Sequence, residues 1–199
     1  MSEHVETDTI LQILGEVQEI QRIIPAKKAS TSHVRPASGG DDPIGQLLAL
    51  LRSDWILSVV GYFANHRPSL PYARLDDEYK VQDLLYCLAA SCFPDLQFEN
   101  PQQKNIGAVT ATRVDFSSTN ARLFIETKLA SSRHDAKQVE KEISEDIVKY
   151  GRQGTFTTVL FFVYCCDYVF PNPREFERGL TGQKTIDGHQ FNTYCIVKP

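Results

Sequence analysis

Arg113-Val114-Asp115-Phe116-Ser117-Ser118-Thr119-Asn120-Ala121-Arg122-Leu123-Phe124-Ile125-Glu126-Thr127-Lys128 is the stretch on which the fold of this chain turns. Two short runs, Ala111 to Thr119 and Arg122 to Lys128, flank Asn120 and Ala121 and predict an antiparallel hairpin. If Asn120 and Ala121 are its two-residue loop, Thr119 faces Arg122 and Asp115 falls opposite Glu126. Directly opposed residues hold their Cβ atoms about 4.5–5.5 Å apart and project to the same side of the sheet. Lys128, two residues past Glu126, shares that side because strand side chains repeat with period two. Like charges set opposite each other on a sheet are destabilising, so such a pair calls for a neutralising group. A divalent cation serves: Mg²⁺ prefers oxygen ligands and is commonly held by one or two carboxylates while keeping waters and taking phosphate oxygens. That chemistry suits phosphodiester hydrolysis, with Lys128 orienting a water and offsetting charge on phosphorus, or acting as general base. A solvated strand face with a diagonal Glu-Lys pair accounts for the same three residues.

Outward from the hairpin, the chain reads as one core with an appended segment. It has 199 residues, 42% hydrophobic and 23% charged, enough for one catalytic-sized domain. A net charge of -4 excludes a globally basic, non-specific nucleic-acid binder, so any phosphate contact must be local. Cys87, Cys92, Cys165, Cys166 and Cys195 form neither a CxxC zinc pattern nor a disulfide framework, which fits a reducing, cytoplasmic setting. No apolar run reaches membrane-spanning length. The five histidines are too scattered for a metal cluster.

Ile10, Ile13, Val17, Ile20 and Ile24 draw an apolar seam along a helix in residues 1–24, suited to docking on its own copy, on a partner protein, or on the rest of the chain. Residues 25–42, with Lys27, Lys28, Ser30, Ser32, Pro36, Gly39 and Gly40, have the composition of a flexible connector. Residues 43–199 then form the main domain. Ile44, Leu47, Leu48, Leu51, Trp55, Val59 and Phe63 predict one buried helix ending at His66-Arg67-Pro68. A second runs from about Asp76 to Cys92, capped by Asp76 or Asp77, with Glu78 and Gln82 on one face. Ser132 and Asp135 resemble a capping box before the stripe Ala136, Val139, Ile143, Ile147 and Tyr150. Thr157 to Tyr164 is a strand covered on both faces, Pro171 and Pro173 break the chain, and Phe191 to Val197 is a last strand. Arg133, Lys137, Lys141 and Lys149, mixed with Glu140, Glu145 and Asp146, read as a salt-laced helix face.

An acid on a helix (Glu78), an Asp on a strand (Asp115) and Glu126-Thr127-Lys128 on the next strand resemble the PD-(D/E)xK, or restriction-endonuclease-like, superfamily. The surrounding text, Glu78-Tyr79-Lys80-Val81-Gln82, Arg113-Val114-Asp115-Phe116, Glu142-Ile143 with Asp146-Ile147 and Tyr150, Phe162-Val163-Tyr164 and Asn172-Pro173, is similar to the DpnII/MboI-type nuclease domain over about residues 75–199. Val114 stands where the motif has proline, and Cys165-Cys166-Asp167 where related domains often have Asp-Pro. The resemblance implies an α/β fold with a mixed sheet flanked by helices, and Mg²⁺-dependent DNA cleavage in which Mn²⁺ can substitute. It also implies a catalytic set of Asp115, Glu126 and Lys128, with Glu78 as a further metal-side acid and Gln82 beside it. The absence of a separate DNA-reading module points to an effector subunit of a larger defence or restriction assembly. An RNA-directed nuclease, or a silent nuclease-fold adaptor working through its N-terminal helix, are the alternatives.

Overall fold

The structure is a computed structural model that describes residues 42–101 and 113–198. The amphipathic helix expected over 1–24, and the connector over 25–42 except for Asp42, lie outside the described residues. Six strands form one mixed sheet: β1 (Gln97–Pro101), β2 (Arg113–Ser118), β3 (Leu123–Ala130), β4 (Thr158–Cys165), β5 (Gly182–Ile186) and β6 (His189–Lys198), in the order β1-β2-β3-β4-β6-β5. β1, β2 and β3 pair antiparallel, β3, β4 and β6 run parallel, and β5 closes the far edge antiparallel to β6.

Helices cover both faces, as a sheet with parallel members requires. On one face lie α1 (Pro43–Arg52), α2 (Trp55–His66) and α3 (Glu78–Cys92), whose Leu47, Leu51, Val59, Phe63, Leu84 and Leu88 pack with Ile125, Leu160, Phe162 and Ile196. Against the other face lies α4 (Ala136–Gly151), where Val139, Ile143 and Tyr150 meet Phe124, Val159, Phe161 and Val163. The central strand β4 therefore sends alternate side chains into two cores, and all eight of its residues are buried. Its unbroken apolar run has that cause.

Several boundaries differ from the sequence expectation for local reasons. The single helix expected through Phe63 is two, bent by 50° at Ser53-Asp54. Ser53 Oγ donates to the Leu50 carbonyl at 2.6 Å, while the Ser58 N–H begins a new ladder at the Asp54 carbonyl. Short polar side chains that bond the nearby backbone compete with helix continuation in this way. Asp42 caps α1 through the Gly45 N–H, and Asp77 caps α3 through the Tyr79 N–H. Asp135, not Ser132, caps α4, because Ser131 and His134 exchange backbone bonds in a tight turn and the Ser132 N–H goes to Asp167. Pro173, expected only to break the chain, is the first residue of α5 (Pro173–Leu180) behind the Asn172 cap, a place where a missing N–H costs nothing.

The hairpin has the register read from the sequence: Phe116 pairs with Ile125, Ser117 with Phe124 and Ser118 with Leu123. Its turn closes by the Arg122 N–H on the Thr119 carbonyl, and Asp95 fastens it from outside by accepting from Ser118 Oγ at 2.7 Å and the Asn120 N–H at 2.8 Å. Those bonds hold the Asp95 carboxyl below its ordinary range, the Asn120 N–H contributing most.

The end of α4 lies tight on β5 and β6. A Cβ at Gly151 would stand 2.6 Å from Ile186 Cβ and 3.0 Å from Phe191 Cε1. Gly151→Ala is expected to destabilise the protein by about 1–3 kcal/mol through overpacking, read by chemical denaturation.

Candidate active site at the β2–β3 seam

Beyond the Phe116–Ile125 pair the backbone ladder between β2 and β3 stops, and side chains take its place. The Asp115 carboxylate accepts the Thr127 N–H at 2.7 Å, and the Asp115 N–H points at Glu126 Oε2 from 3.5 Å. Strand alternation also breaks here. Val114 belongs to the α4-side core and Phe116 to the α1–α3 core, although residues two apart in a regular strand share a face. The sequence placed Asp115 opposite Glu126 on one sheet face. Register apart, the structure turns the Asp115 carboxylate into the seam itself, against the β3 backbone.

Glu126 and Lys128 project from β3 toward α4 and are held there on both sides. Tyr150 Oη donates to Glu126 Oε2 at 2.7 Å, and also lies 3.3 Å from the Arg113 carbonyl. Lys128 Nζ sits 3.2 Å from Glu126 Oε1 and 3.0 Å from Asp146 Oδ2, and Asp146 Oδ1 lies 3.4 Å from Lys149. Glu78, in the first turn of α3, is the further acid, within electrostatic reach of Lys128 and Glu126. Gln82 follows one helical turn later and is buried. All five residues singled out in the sequence thus lie on the elements around this seam.

Asp115, Glu126 and Glu78 crowd toward the Lys128 ammonium, and the titration of these three acids reflects their burial and crowding. Burial pushes the Asp115 carboxyl above its ordinary range, opposed by the Thr127 N–H and reinforced by Glu78. Glu126 is raised by burial and then by Asp115, with Lys128 pulling the other way. Burial also raises Glu78, opposed by Lys128 and the Leu129 N–H. For Lys128, burial works against the charge, but Glu126 and Asp146 outweigh it and hold the ammonium protonated well above the usual lysine range.

Among the described residues no group of three or more His, Cys, Asp or Glu side chains is arranged to hold a metal ion. The chemistry of the seam still fits a hard divalent cation. Mg²⁺ needs only one or two carboxylates when waters and phosphate oxygens complete its shell. Asp115 and Glu126 supply two, both raised by the burial and repulsion that a cation relieves.

Asp146 and Tyr150 are the contributors that sequence reasoning placed elsewhere, one in an exposed salt-laced face and the other in the apolar stripe. Their neighbours behave as read: Lys141 and Glu145 are an exposed pair at 3.8 Å. Asp146, however, turns inward, with its side chain 13% exposed. The available signal was spacing, since Glu142, Asp146 and Tyr150 recur every fourth residue beside the inward Ile143 and Ile147.

A helix-borne acid, an acid on one strand and Glu-x-Lys on the next, gathered where a mixed sheet splays between helices, define a restriction-endonuclease-like domain. The chain belongs to the DpnII-MboI family of restriction endonucleases, whose family model matches residues 59–196. Membership makes it a nuclease acting on DNA. No curated protein and no solved structure matches the chain.

The raised Glu126 carboxyl carries a stability consequence. A carboxyl whose folded pKa exceeds its unfolded value imposes no penalty below the unfolded pKa, near 4, and a growing one as pH rises through the folded value. Glu126→Gln is therefore expected to raise the melting temperature without divalent cations by about 3–6 °C at pH 8. The gain shrinks towards zero by pH 4, and differential scanning calorimetry at the two pH values checks it.

Proposed function

We propose that the protein is a Mg²⁺-dependent DNA endonuclease whose catalytic groups are Asp115, Glu126 and Lys128, with Glu78 and Gln82 at the same site. The observation that carries the proposal is the seam, where the buried Glu126 carboxylate and the half-buried Asp115 carboxylate stand beside an ammonium in place of backbone pairing. Asp115 and Glu126 would hold the cation, and Glu78 would add a carboxylate from α3. A bound Mg²⁺ supplies Lewis-acid polarisation of the phosphate and a more acidic water. Tyr150 keeps the Glu126 carboxylate aimed by donating to one of its oxygens. Asp146 fixes the Lys128 ammonium, whose protonation favours electrostatic stabilisation of the phosphorane charge over proton abstraction. Mn²⁺ shares these ligand preferences and would substitute.

Incubation of the protein with plasmid and linear DNA in Mg²⁺ or Mn²⁺ tests this. Cleavage is expected, with Asp115→Ala and Lys128→Ala slower by about 10²-fold or more. Equal nicking by all three proteins excludes the site. Cleavage of RNA in place of DNA moves the substrate. Absence of both activities, together with no Mn²⁺ binding sensitive to Glu126→Ala, leaves a nuclease-fold adaptor.

The effector role in a larger defence or restriction assembly rests on the apolar seam of residues 10–24 and on the domain division 1–24, 25–42 and 43–199. Deletion of residues 1–24 is expected to lower the oligomeric mass or abolish capture of a partner protein while the melting transition persists. Light scattering on the truncated chain that gives an unchanged oligomer, with partner capture intact, removes this role.

A further inference from the structure

We propose that a cationic cleft at the end of β6 binds the DNA backbone a few nucleotides from the bond that is cut, an inference that rests on the DNA-nuclease reading above. The cleft has a volume of about 550 Å³ and opens between the end of α1, the last residues of β6 and the chain entering α5. It is lined by Arg52, Arg174 and Lys198, with Glu177 the acid among its lining residues. The Glu177 carboxylate is already engaged, accepting the Val197 N–H at 2.7 Å and so finishing the β6 edge beyond its pairing with β5. The Lys198 side chain is 12% exposed, and its ammonium is anchored by the Arg52 carbonyl at 2.9 Å with exposed Asp54 at 4.0 Å. One fixed cation and two exposed guanidinium groups thus share a cleft on a chain of net charge -4. Such local charge is what phosphate contact demands of an acidic protein.

Its location relative to the seam gives the cleft its role. Lys128 is in register with Val163, and Val163 with Val197, the residue before Lys198. Two strand spacings separate the β3 and β6 backbones by about 10 Å. Lys128 reaches Asp146 on the α4 face and Lys198 the Arg52 carbonyl on the α1 face, so the cleft is farther from the seam than the backbone spacing and meets the duplex several phosphates from the one proposed at Lys128. Both sites occupy the C-terminal ends of the parallel strands, where α/β sheets place their ligands. Between them, the loop leaving β4 carries Tyr168, 82% exposed and at φ 52°, the most exposed large hydrophobic among the described residues.

The test is binding of a 20-base-pair duplex to the full chain in EDTA, followed by anisotropy across a NaCl series. Arg52→Glu/Arg174→Glu is expected to raise Kd at least tenfold and to flatten the log Kd against log salt slope by about 2. Arg122→Glu, at the opposite end of the strands, is expected to change both far less. Should the double variant fail to melt like the wild type, Arg174→Glu alone is expected to flatten the slope by about 1. Unchanged affinity and slope in folded variants overturn the cleft, whether or not the wild-type protein cleaves DNA. Wild-type protein that binds with the steeper slope but fails to cleave in Mg²⁺ upholds the cleft and overturns the proposed activity.

Discussion

Glu126 holds a carboxylate in the interior with both oxygens engaged, one by the Tyr150 hydroxyl and the other by the Lys128 ammonium. Taking a carboxylate out of water is costly unless hydrogen bonds and an opposite charge compensate. Here the compensating groups come from two elements: Lys128 from the same strand and Tyr150 from the last turn of α4. Satisfying this one group ties the C-terminal half of α4 to β3. Asp146 extends the arrangement by pairing with the far side of Lys128, so the helix touches both members of the pair.

The same constraint suits the seam to the chemistry proposed for it. A strand pair that kept its ladder through Asp115 and Glu126 would spend its backbone groups on each other. Here the Thr127 N–H is given to the Asp115 carboxylate instead. Such a bond lowers a carboxyl pKa, yet burial and the neighbouring acids still raise it. The residual repulsion is a store of free energy that favours any cation entering between the strands. Stability and function oppose each other at this point, as they commonly do at active sites.

Much of this was legible in the sequence because it depends on short-range rules. Period-two patterning and the Asn120-Ala121 loop fix the hairpin register as far as Phe116 and Ile125, beyond which Asp115 meets β3 through its side chain and not through the ladder. The all-apolar run of β4 announces a strand covered on both sides. What was not legible depends on the third dimension. The inward turn of Asp146 is invisible to charge patterning, because its neighbours Glu145 and Lys149 remain exposed or half-exposed. The twist at Asp115 requires knowing where the second core lies. The break at Ser53-Asp54 and the helix beginning at Pro173 were written in local capping chemistry that a reading by apolar period passes over.

Why the two cores do not merge around the seam bears on how DNA could reach it. β4 and β6 separate the α1–α3 core from the α4 core along their whole buried length, and β1 and β2 continue the sheet only by antiparallel pairing. At the β2–β3 seam the ladder ends, so the barrier between the faces weakens there without a break in either core. Glu78 enters from the α3 side and Asp146 from the α4 side, and Lys128 feels both. A site assembled from two faces of a sheet in this way needs no deep pocket. Lys128, near the C-terminal end of β3, marks the side from which the proposed duplex ligand would approach.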